Sequence, residues 1–532
     1  MRGPLTTINK KFNKTLLNEP YDIIIIGSGI SGLCCAALLA LKGKKVLVLE
    51  KHFKIGGYTH TFKRKGYEWD VGIHYVGDMH KEYNPARKIF DLITGENLHW
   101  SKMHDNYDSI IFPDKKYDLY CPKELFVENM IKWFPKEEEP IMRYMALLKE
   151  VAQKSKNYYM AKVLPKLFST LLTPLLSRPY FKLSDKTTYD VITSLSSDTK
   201  LLGVLTGQWG DYGLPPKRSS FVMHAGVVQH YLDGGNYPAG GSGQIAANIV
   251  PVIRNNGGEI FNSMGVEKII MHKNTAIGVR LENGEEIYAP KIISSAGVMN
   301  TYERLLKSNA LPKIRQSLTN VRKTEGHLCL YIGLNGSAKE LGLRTTNYWI
   351  YPSYDHDKNV ENFVTDQTKQ FPVLYLSFPS VKDPNWQKDH PHQSTMEAIT
   401  LAHYDWFEAW KDHPWKSRGN EYEEIKEKYA QRMLEMIYKT LPQLKGKIDY
   451  YELSTPLSTK SMVNYQSGEL YGLEHTPKRF RQDWLRPKSP IKGLFLTGQD
   501  VTTVGLTGAL FSGVLTSSVI LRKNLFKEII KS

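Results

Sequence analysis

Residues 21–51, YDIIIIGSGISGLCCAALLALKGKKVLVLEK, decide the fold. Four consecutive isoleucines predict a buried strand over 23–26, because β-branched residues favour strands and a strand covered on both faces needs no polar alternation. A glycine-rich turn follows, and the mostly apolar run 31–41 predicts a helix that ends at Gly43. The apolar run 46–50 predicts a second strand. Strand, glycine turn, helix and strand in this order indicate a βαβ unit and a parallel sheet.

The turn carries the pattern G-x-G-x-x-G between its strand and its helix. In this setting Gly27 permits the tight turn, Gly29 lets a pyrophosphate approach the backbone, and Gly32 allows close packing of the helix on the strand. The pyrophosphate lies at the helix N-terminus, where free N–H groups and the dipole favour an anion. Glu50 ends the second strand, where a carboxylate accepts hydrogen bonds from ribose hydroxyls. We therefore predict a dinucleotide site formed by Gly27, Ser28, Gly29, Ile30, Ser31, Gly32, Glu50 and Lys51.

Two further glycine-rich stretches specify which dinucleotide is expected. GGYTHT (56–61) resembles the second fingerprint of flavoproteins with two dinucleotide-binding domains, where it wraps over FAD. LTGQD (496–500), followed by small residues at helical spacing, resembles the C-terminal FAD segment of the same proteins. There the helix N-terminus points at the flavin ribityl and pyrophosphate, and Asp500 is expected to bind ribityl hydroxyls. The resemblance implies FAD contacts from Gly56, Gly57, Thr59, Gly498, Asp500, Leu506, Thr507 and Gly508.

Strands predicted in the middle of the chain fit the same plan. Val266 lies in a segment that resembles the strand offering backbone groups to the adenine, and Gly297 ends IISSAG (292–297), which resembles the strand that returns to the cofactor. The predicted fold class is α/β: a Rossmann-like two-dinucleotide-binding FAD domain, discontinuous in sequence, with an inserted mixed α+β substrate domain. The FAD domain is predicted at 18–105, 236–305 and 488–532, and the substrate domain at 106–235 and 306–487. The central helical stretch, 137–208, is expected to break at Pro165, Pro174 and Pro179.

Longer blocks of sequence narrow the resemblance to one family. GIHYVG (72–77), SSFVMHAGVVQHYLDGGNYPAGGSGQI (219–245), SFPSVKDPNW (377–386) and LYGLEH (470–475) are similar to retinol saturases, the all-trans-retinol 13,14-reductase family. Plant and bacterial carotenoid isomerases and phytoene desaturases resemble the chain more distantly, through the FAD signatures. The resemblance implies an FAD enzyme that saturates one double bond of a conjugated isoprenoid, a retinoid or carotenoid-like molecule, at or near a membrane.

Saturation of a double bond needs a hydride at one carbon and a proton at its neighbour. Reduced flavin supplies the hydride in this scheme. The candidate proton donors, all in the family-like blocks, are His74, Tyr75, His224 and Tyr231. The sequence contains no second strand–G-x-G-x-x-G–helix unit, so the electron donor stays open between NAD(P)H, a separate protein and a quinone. Two other functions also stay open: a polyene isomerase or desaturase on the same FAD site, and a non-catalytic isoprenoid carrier with a structural flavin.

Composition restricts the partners. The net charge of +16 favours acidic surfaces. The sequence shows no helix-turn-helix, zinc-finger or RNA-binding signature, so we expect no nucleic acid. The four cysteines form no Cys-x-x-Cys motif and no Cys/His cluster, so we expect no metal.

The membrane relationship is predicted from apolar runs. The leader lacks an apolar core, and no run of about 18 apolar residues occurs, so we expect neither a signal peptide nor a transmembrane helix. AKVLPKLFSTLLTPLLSRPYFKL (161–183) mixes apolar runs with basic residues. It predicts either peripheral membrane contact or a proline-kinked cap over the substrate cavity. We expect a cytoplasmic protein that is peripheral on the membrane surface, and its oligomeric state stays open.

Overall fold

A five-stranded parallel sheet forms the first layer of the fold. The computed structural model describes residues 8–17, 20–164, 166–307 and 311–531, with the side chains of 16 and 166–174 left out. Ile23–Ile26 pairs in register with a strand on each side and is buried on both faces. The strand order across the sheet is Glu259–Phe261, Val46–Leu49, Ile23–Ile26, Lys291–Ser294 and Leu494–Leu496.

Helices cover one face of the parallel sheet, and a small antiparallel sheet covers the other. The alternate residues Ile23 and Ile25 pack with the helices, whereas Ile24 and Ile26 pack with the small sheet. The helices on the first face are Ile30–Leu41, Pro85–Thr94, Gly243–Asn255, Gly505–Leu521 and Leu525–Lys531. The small sheet consists of Val266–His272, Thr275–Leu281 and Glu286–Tyr288.

The two helices that begin at the same edge of the parallel sheet touch backbone to backbone. A Cβ atom added at Gly513, in Gly505–Leu521, would lie 2.7 Å from Cys34 Cβ and 2.9 Å from Ser31 O in Ile30–Leu41. A Cβ atom added at Gly32 would lie 2.3 Å from Gly27 O. Such distances exclude any side chain larger than hydrogen. Gly513 therefore sets how closely the two helices pack, and Gly32 sets how closely the first helix packs on its own glycine turn.

A seven-stranded mixed sheet forms the second layer. One face packs on the helix Asn420–Thr440 through Leu328, Leu330 and Leu376. The other face carries Ile110, Trp349 and Tyr375 and turns towards the first layer. The strand order is Ile448–Ser454, Gly326–Asn335, Gln393–Ala402, Leu374–Ser377, Asn347–Ile350, Asn106–Ile111 and Lys116–Tyr120.

The central helical stretch is less broken than predicted. The helix Lys166–Ser184 continues through Pro174 and Pro179. Its buried Tyr180 stacks on Tyr158 of the preceding helix with ring centroids 4.2 Å apart, and this packing holds the helix together where proline removes backbone hydrogen bonds. Residue 165 lies outside the described residues. The other helices of the stretch are Glu138–Val163, Thr188–Thr193 and Thr199–Leu205, and the helices Lys123–Trp133 and Phe221–Tyr231 flank it.

Shorter elements connect the layers. The small strands are Thr61–Arg64 with Tyr67–Asp70, and Val76–Gly77 with Gly235–Pro238 and Trp100–Lys102. The remaining α-helices are Pro312–Leu318, His356–Thr365, Pro379–Lys382, Trp386–Asp389, Pro456–Val463 and Pro477–Phe480. One π-helix spans Asn300–Leu305. The single-turn and 3-10 segments are Lys14–Leu16, Gly57–Thr59, Pro135–Glu137, Trp209–Asp211, Tyr404–Trp410 and Pro442–Leu444.

The two large sheets draw on different parts of the chain. The parallel sheet uses residues from the segments predicted for the FAD domain, and the seven-stranded sheet uses residues from those predicted for the substrate domain. The exact domain boundaries stay a prediction. Within the described residues, no single helix is both long and apolar enough to cross a membrane; Gly505–Leu521 and Leu525–Lys531 reach that length and apolarity together but are bent by 115°.

We predict that Gly32→Ala destabilises the fold by about 1–3 kcal/mol, because the new methyl group overlaps Gly27 O. The free energy of unfolding in urea measures this effect. Gly226→Ala is the matched control: Gly226 is exposed within Phe221–Tyr231 and has no atom within 4 Å of an added Cβ. Alanine there should stabilise the helix by about 0.5–1 kcal/mol. Equal unfolding midpoints for the two variants would contradict the packing argument.

Candidate active site

A cavity that opens to solvent lies between the two layers, and the empty space in it, its opening included, is about 1390 Å³. One wall is the carboxyl edge of the parallel sheet, where Gly29, Ser295 and Gly498 follow three neighbouring strands. The opposite wall is the seven-stranded sheet, represented by Trp349 and Tyr375. Parallel α/β sheets bind ligands outside the carboxyl ends of their strands, so this cavity occupies the expected position for a cofactor.

Two helix N-termini open into this cavity without side-chain caps. Gly29 is the N-cap of Ile30–Leu41, and Val504 is the N-cap of Gly505–Leu521. Neither N-cap residue has a side chain that accepts a hydrogen bond from the N–H groups of its helix. The first turns of both helices line the cavity through Ile30, Ser31 and Leu506. Their free N–H groups and aligned dipoles favour an anionic group at this point.

The first glycine turn has the geometry that a dinucleotide needs. Gly27 has φ +94°, which glycine adopts without strain. Gly29 has φ −60°, and an added Cβ would meet nothing closer than Ser295 Oγ at 3.9 Å. The space beside Gly29 therefore belongs to the cavity and not to protein packing, as expected for a turn that a pyrophosphate approaches.

The second glycine pair packs directly on the first turn. Gly56 N donates to Ser28 Oγ at 3.0 Å, and a Cβ added at Gly57 would lie 3.0 Å from Gly29 Cα. Thr59 lines the cavity and donates its hydroxyl to Gly56 O. The two glycine stretches, separate in sequence, thus form one surface.

Glu50 lies beside the same turn, and Val266 lies beyond it. Glu50 Oε2 accepts from Ser28 N at 2.8 Å and from Ser28 Oγ at 2.6 Å. The Glu50 carbonyl accepts from Met264 N at 2.9 Å, which brings the start of Val266–His272 close to Glu50. Lys51 instead forms an exposed ion pair with Glu282 at 2.8 Å and does not line the cavity.

The structure gives Asp500 different partners from the predicted ribityl hydroxyls. Its Oδ2 accepts from Val298 N at 2.9 Å and its Oδ1 from Leu473 N at 3.0 Å, and it does not line the cavity. Gly297, at φ +83°, leaves room for this carboxylate, since an added Cβ would lie 3.3 Å from Oδ2. Asp500 therefore ties together three loops around the cavity, with both oxygens engaged inside the protein.

Two of the residues predicted to bind FAD at the start of Gly505–Leu521 contact the protein instead of the cavity. A Cβ added at Gly508 would lie 2.3 Å from Thr503 O, so glycine is required there by the helix start itself. Thr507 has a buried hydroxyl without a hydrogen-bond partner and does not line the cavity, whereas Leu506 does.

One of the four predicted proton donors, His74, lines the cavity. Tyr75 lies behind the cavity wall, stacked on Tyr231 with ring centroids 4.1 Å apart. His224 lies deeper in the core, 2.8 Å from Tyr144 Oη and 3.3 Å from Tyr212 Oη. Burial lowers the pKa of His224 to about 3. Because the helix Phe221–Tyr231 packs these residues inward, His224 and Tyr231 do not reach the cavity.

Next to His74 the seven-stranded sheet buries a row of polar side chains. Asp108 pairs with Asn347, and Ser377 pairs with Glu397, on the face turned to the cavity. Lys382, which is 2% exposed, donates to Asn347 Oδ1, Ser377 Oγ and the His74 carbonyl. His74 Nδ1 lies 2.8 Å from Glu397 Oε2.

Burial determines the protonation of this polar row. It raises the pKa of Glu397 to about 8 and lowers that of Lys382 to about 7. Burial and the nearby Lys382 charge lower the pKa of His74 to about 4. His74 is therefore a neutral imidazole at pH 7, and the buried row carries fewer charges than its composition suggests.

Several cavity residues escaped sequence reasoning. Aromatic side chains dominate the walls, and Asp211 and His327 add polar groups. For Trp209 and Asp211, the sequence feature that indicates a site is the glycine spacing in GQWGDYG (207–213), which is typical of a loop packed closely against other elements. The aromatic lining consists of Tyr58, Trp209, Trp349, Tyr375, Tyr465 and Tyr471. In the described ranges, no group of three or more His, Cys, Asp or Glu side chains is arranged to hold a metal ion.

The parallel sheet, the two glycine stretches and the C-terminal helix together define a flavoprotein-type oxidoreductase with a Rossmann-like nucleotide domain. A family model described as NAD(P)-binding Rossmann-like domain matches residues 25–92. The solved structure of a putrescine oxidase superposes with a TM-score of 0.62 at 15% identity, covering 95% of this chain and 100% of that one.

Sequence comparison identifies the family. The Danio rerio all-trans-retinol 13,14-reductase is 36% identical over 98% of this chain and 89% of its own length. This chain belongs to the all-trans-retinol 13,14-reductase family. A second Danio rerio relative, named inactive all-trans-retinol 13,14-reductase, is 32% identical over 99% of the chain and 92% of its own length. The Arabidopsis thaliana prolycopene isomerase is 26% identical over 93% of the chain and 82% of its own length.

We predict that Gly29→Ala weakens flavin binding about 10-fold or more while leaving the apoprotein's stability unchanged. The backbone of Gly29 suits alanine, but the new methyl group enters the cavity space beside the turn. Equilibrium titration with FAD and urea unfolding of the apoprotein measure the two effects. Gly226→Ala serves as the control with unchanged affinity. Wild-type affinity in Gly29→Ala would rule out a cofactor at this turn.

Proposed function

We propose that this chain is an FAD-dependent oxidoreductase that saturates one C=C bond of a conjugated isoprenoid, of the type all-trans-retinol to 13,14-dihydroretinol. The observation that carries the proposal is a single cavity that joins the glycine turn to a wall of aromatic side chains. The family membership and the fold support the same activity.

The residues around the turn fit the parts of FAD. The free N–H groups at the starts of Ile30–Leu41 and Gly505–Leu521 suit its pyrophosphate and ribityl chain, and Glu50 suits its adenosine ribose. When bound, FAD supplies hydride chemistry. The residues of this chain hold it, exclude water from the cavity and provide the proton.

The opposite wall suits a flat, apolar substrate. Trp209, Trp349 and Tyr471 present ring surfaces, and Ile399 and Leu401 add aliphatic ones. A polyene exposes a flat, polarisable surface that packs well on aromatic rings, and it gains from leaving water. A retinoid or a carotenoid end group is the substrate class that these walls favour.

Two other functions have specific support. Similarity to a prolycopene isomerase supports redox-neutral isomerisation on the same site. Similarity to a relative named inactive all-trans-retinol 13,14-reductase keeps a non-catalytic function open, for which an isoprenoid carrier is the candidate. The polar groups His74 and Asp211 in the cavity wall favour catalysis over the carrier role, because a carrier with a structural flavin needs the space beside Gly29 but no proton donor. The electron donor is a separate small molecule or protein, with NAD(P)H as the first candidate.

We predict that the flavin of the reduced enzyme is re-oxidised by all-trans-retinol under anaerobic conditions. Flavin absorbance measures the re-oxidation, and mass spectrometry of the product identifies the reaction. With the reduced enzyme, a product that gains two hydrogens while the flavin is re-oxidised is expected for saturation. A product of unchanged mass while the flavin stays reduced indicates isomerisation. A loss of two hydrogens with the oxidised enzyme, whose flavin is then reduced, indicates desaturation. Retinol incubated with the oxidised enzyme is the control. Retinol and a carotenoid that both stay unchanged with the reduced and with the oxidised enzyme would contradict the enzyme function.

We also propose that the hairpin of Glu138–Val163 and Lys166–Ser184 contacts a membrane surface. Its described part exposes Met160 (52%) and Leu175 (71%) among the exposed basic residues Arg178 and Lys182. Apolar and basic side chains on one surface suit an interface with anionic lipid. Within the predicted contact segment 161–183, residue 165 is not among the described residues. The side chains of 166–174 are not described either.

We predict that Leu175→Glu lowers binding to phosphatidylcholine–phosphatidylserine vesicles about 10-fold, because an apolar side chain leaves the interface and a repelled charge replaces it. Vesicle co-sedimentation measures the binding. The matched control is Tyr83→Glu, since Tyr83 is 72% exposed and lies outside the hairpin. Equal binding by both variants would remove the hairpin from the membrane contact.

A further inference from the structure

A glycine-spaced loop holds one carboxyl group in the cavity wall. The loop 207–213 follows the helix Thr199–Leu205 and lies flat on the seven-stranded sheet. A Cβ added at Gly207 would lie 2.8 Å from Ile110 Cγ2, and one added at Gly210 would lie 2.5 Å from Trp349 Cζ3. A Cβ added at Gly213, on the other side of Asp211, would lie 2.9 Å from Tyr471 Cδ2. Close contacts before and after Asp211 therefore fix its backbone, and Asp211 lines the cavity.

The carboxyl group of Asp211 connects the cavity to a buried carboxyl group through one tyrosine. Tyr75 Oη lies 3.1 Å from Asp211 Oδ2 and 2.9 Å from Asp108 Oδ2. Asp108 is fully buried, whereas Asp211 keeps part of its surface accessible. Tyr75 in turn stacks on Tyr231, so the position of its hydroxyl is fixed by packing.

The hydrogen bonds among Asp108, Tyr75 and Asp211 require a proton on Asp211. A tyrosine hydroxyl has one proton, and an ionised carboxylate only accepts, so Tyr75 cannot satisfy two ionised carboxylates. Asp108 also accepts from Gln208 Nε2 at 2.7 Å and from Asn347 Nδ2 at 3.0 Å, which stabilises its ionised form. Asp211 then donates its proton to Tyr75 Oη, and Tyr75 donates to Asp108. Burial and the neighbouring Asp108 charge likewise raise the pKa of Asp211 well above its usual range.

His74 is less suited to this role, although it lines the same cavity. Its neutral imidazole is a weak acid, and its Nδ1 faces Glu397. A carboxylic acid kept protonated beside an apolar cavity is a far better proton donor at neutral pH. Glu325 also lines the cavity, but its side chain is 27% exposed and lies 3.4 Å from His403 Nδ1, so it lacks the buried carboxyl partner that Asp211 has through Tyr75. Asp211 is therefore the cavity group best placed to release a proton.

We propose that Asp211 is the catalytic acid of this cavity, with Tyr75 and Asp108 as positioning residues that hold its proton. This inference rests on the proposed function. The π electrons of the substrate's C=C bond take the Asp211 proton at one carbon, and the other carbon receives a hydride, for which a reduced flavin is the donor. The products are the saturated CH–CH bond, an Asp211 carboxylate and an oxidised flavin. Protonation from solvent restores Asp211.

The first test is infrared spectroscopy of the protein without substrate at pH 7. The difference spectrum between wild type and Asp211→Asn should contain the C=O stretch of one protonated carboxylic acid, which shifts in D₂O. Asp366→Asn is the matched control, because the Asp366 side chain is 43% exposed and its hydrogen bonds with Thr368 lower its pKa. Tyr75→Phe should move the Asp211 band without abolishing it, which a merely structural role would not do. A difference spectrum without this band would overturn the proposal.

The second test is the anaerobic re-oxidation of reduced flavin by all-trans-retinol. Asp211→Asn should bind FAD and be reduced normally, yet re-oxidise about 100-fold more slowly or worse. Asp211→Glu, which keeps the carboxyl group, should recover part of the rate. A wild-type rate in Asp211→Asn would overturn the role of Asp211 alone. A wild-type flavin that no polyene re-oxidises would overturn the proposed function itself, even where infrared detects the protonated carboxyl.

Discussion

Close backbone contact between the first glycine turn, the helix that follows it and the middle of the C-terminal helix is the constraint on which the rest of the structure depends. Gly32 meets the carbonyl of Gly27, and Gly513 meets Ser31 and Cys34, at distances that no side chain tolerates. This contact brings the uncapped N-termini of Ile30–Leu41 and Gly505–Leu521 to the same edge of the parallel sheet. Two positive dipole ends and their free N–H groups then face one cavity, which an anionic cofactor satisfies.

The second layer combines an apolar wall with buried charge on the same sheet face. Trp349 and Tyr375 form an apolar row, whereas Asp108 and Glu397 belong to a polar row one pleat away. Strand periodicity makes this possible, because side chains two residues apart share a face. The polar row is buried under protein, and Lys382 and the amide of Asn347 satisfy part of it. The wall that faces the substrate is therefore apolar, although the titratable groups of the polar row lie directly beside it on the same sheet face.

Such an arrangement explains how one architecture accommodates several outcomes among relatives. The cofactor edge depends on glycines and helix starts, which are common to the fold. The chemistry depends on which polar groups reach the cavity from behind the aromatic wall. In this chain Asp211 and His74 are among the groups that reach it, and burial raises the pKa of Asp211 whereas it lowers the pKa of His74. Relatives named as reductase, inactive reductase and isomerase are similar to this chain over 98%, 99% and 93% of its length, so similarity along the chain does not by itself specify the reaction.

The sequence by itself determined the parallel sheet, the glycine turn and the C-terminal helix start. Strand and helix periodicities are local, and Gly27 and Gly32 act within a few residues of each other, so their geometry follows from spacing. It did not reveal that Asp500 bonds Val298 and Leu473, or that His224 points into the core. Those contacts join residues far apart in sequence. The proton relay through Asp108, Tyr75 and Asp211 likewise joins three separate elements, so only the tertiary structure, by packing loop 207–213 on the sheet, brought it together.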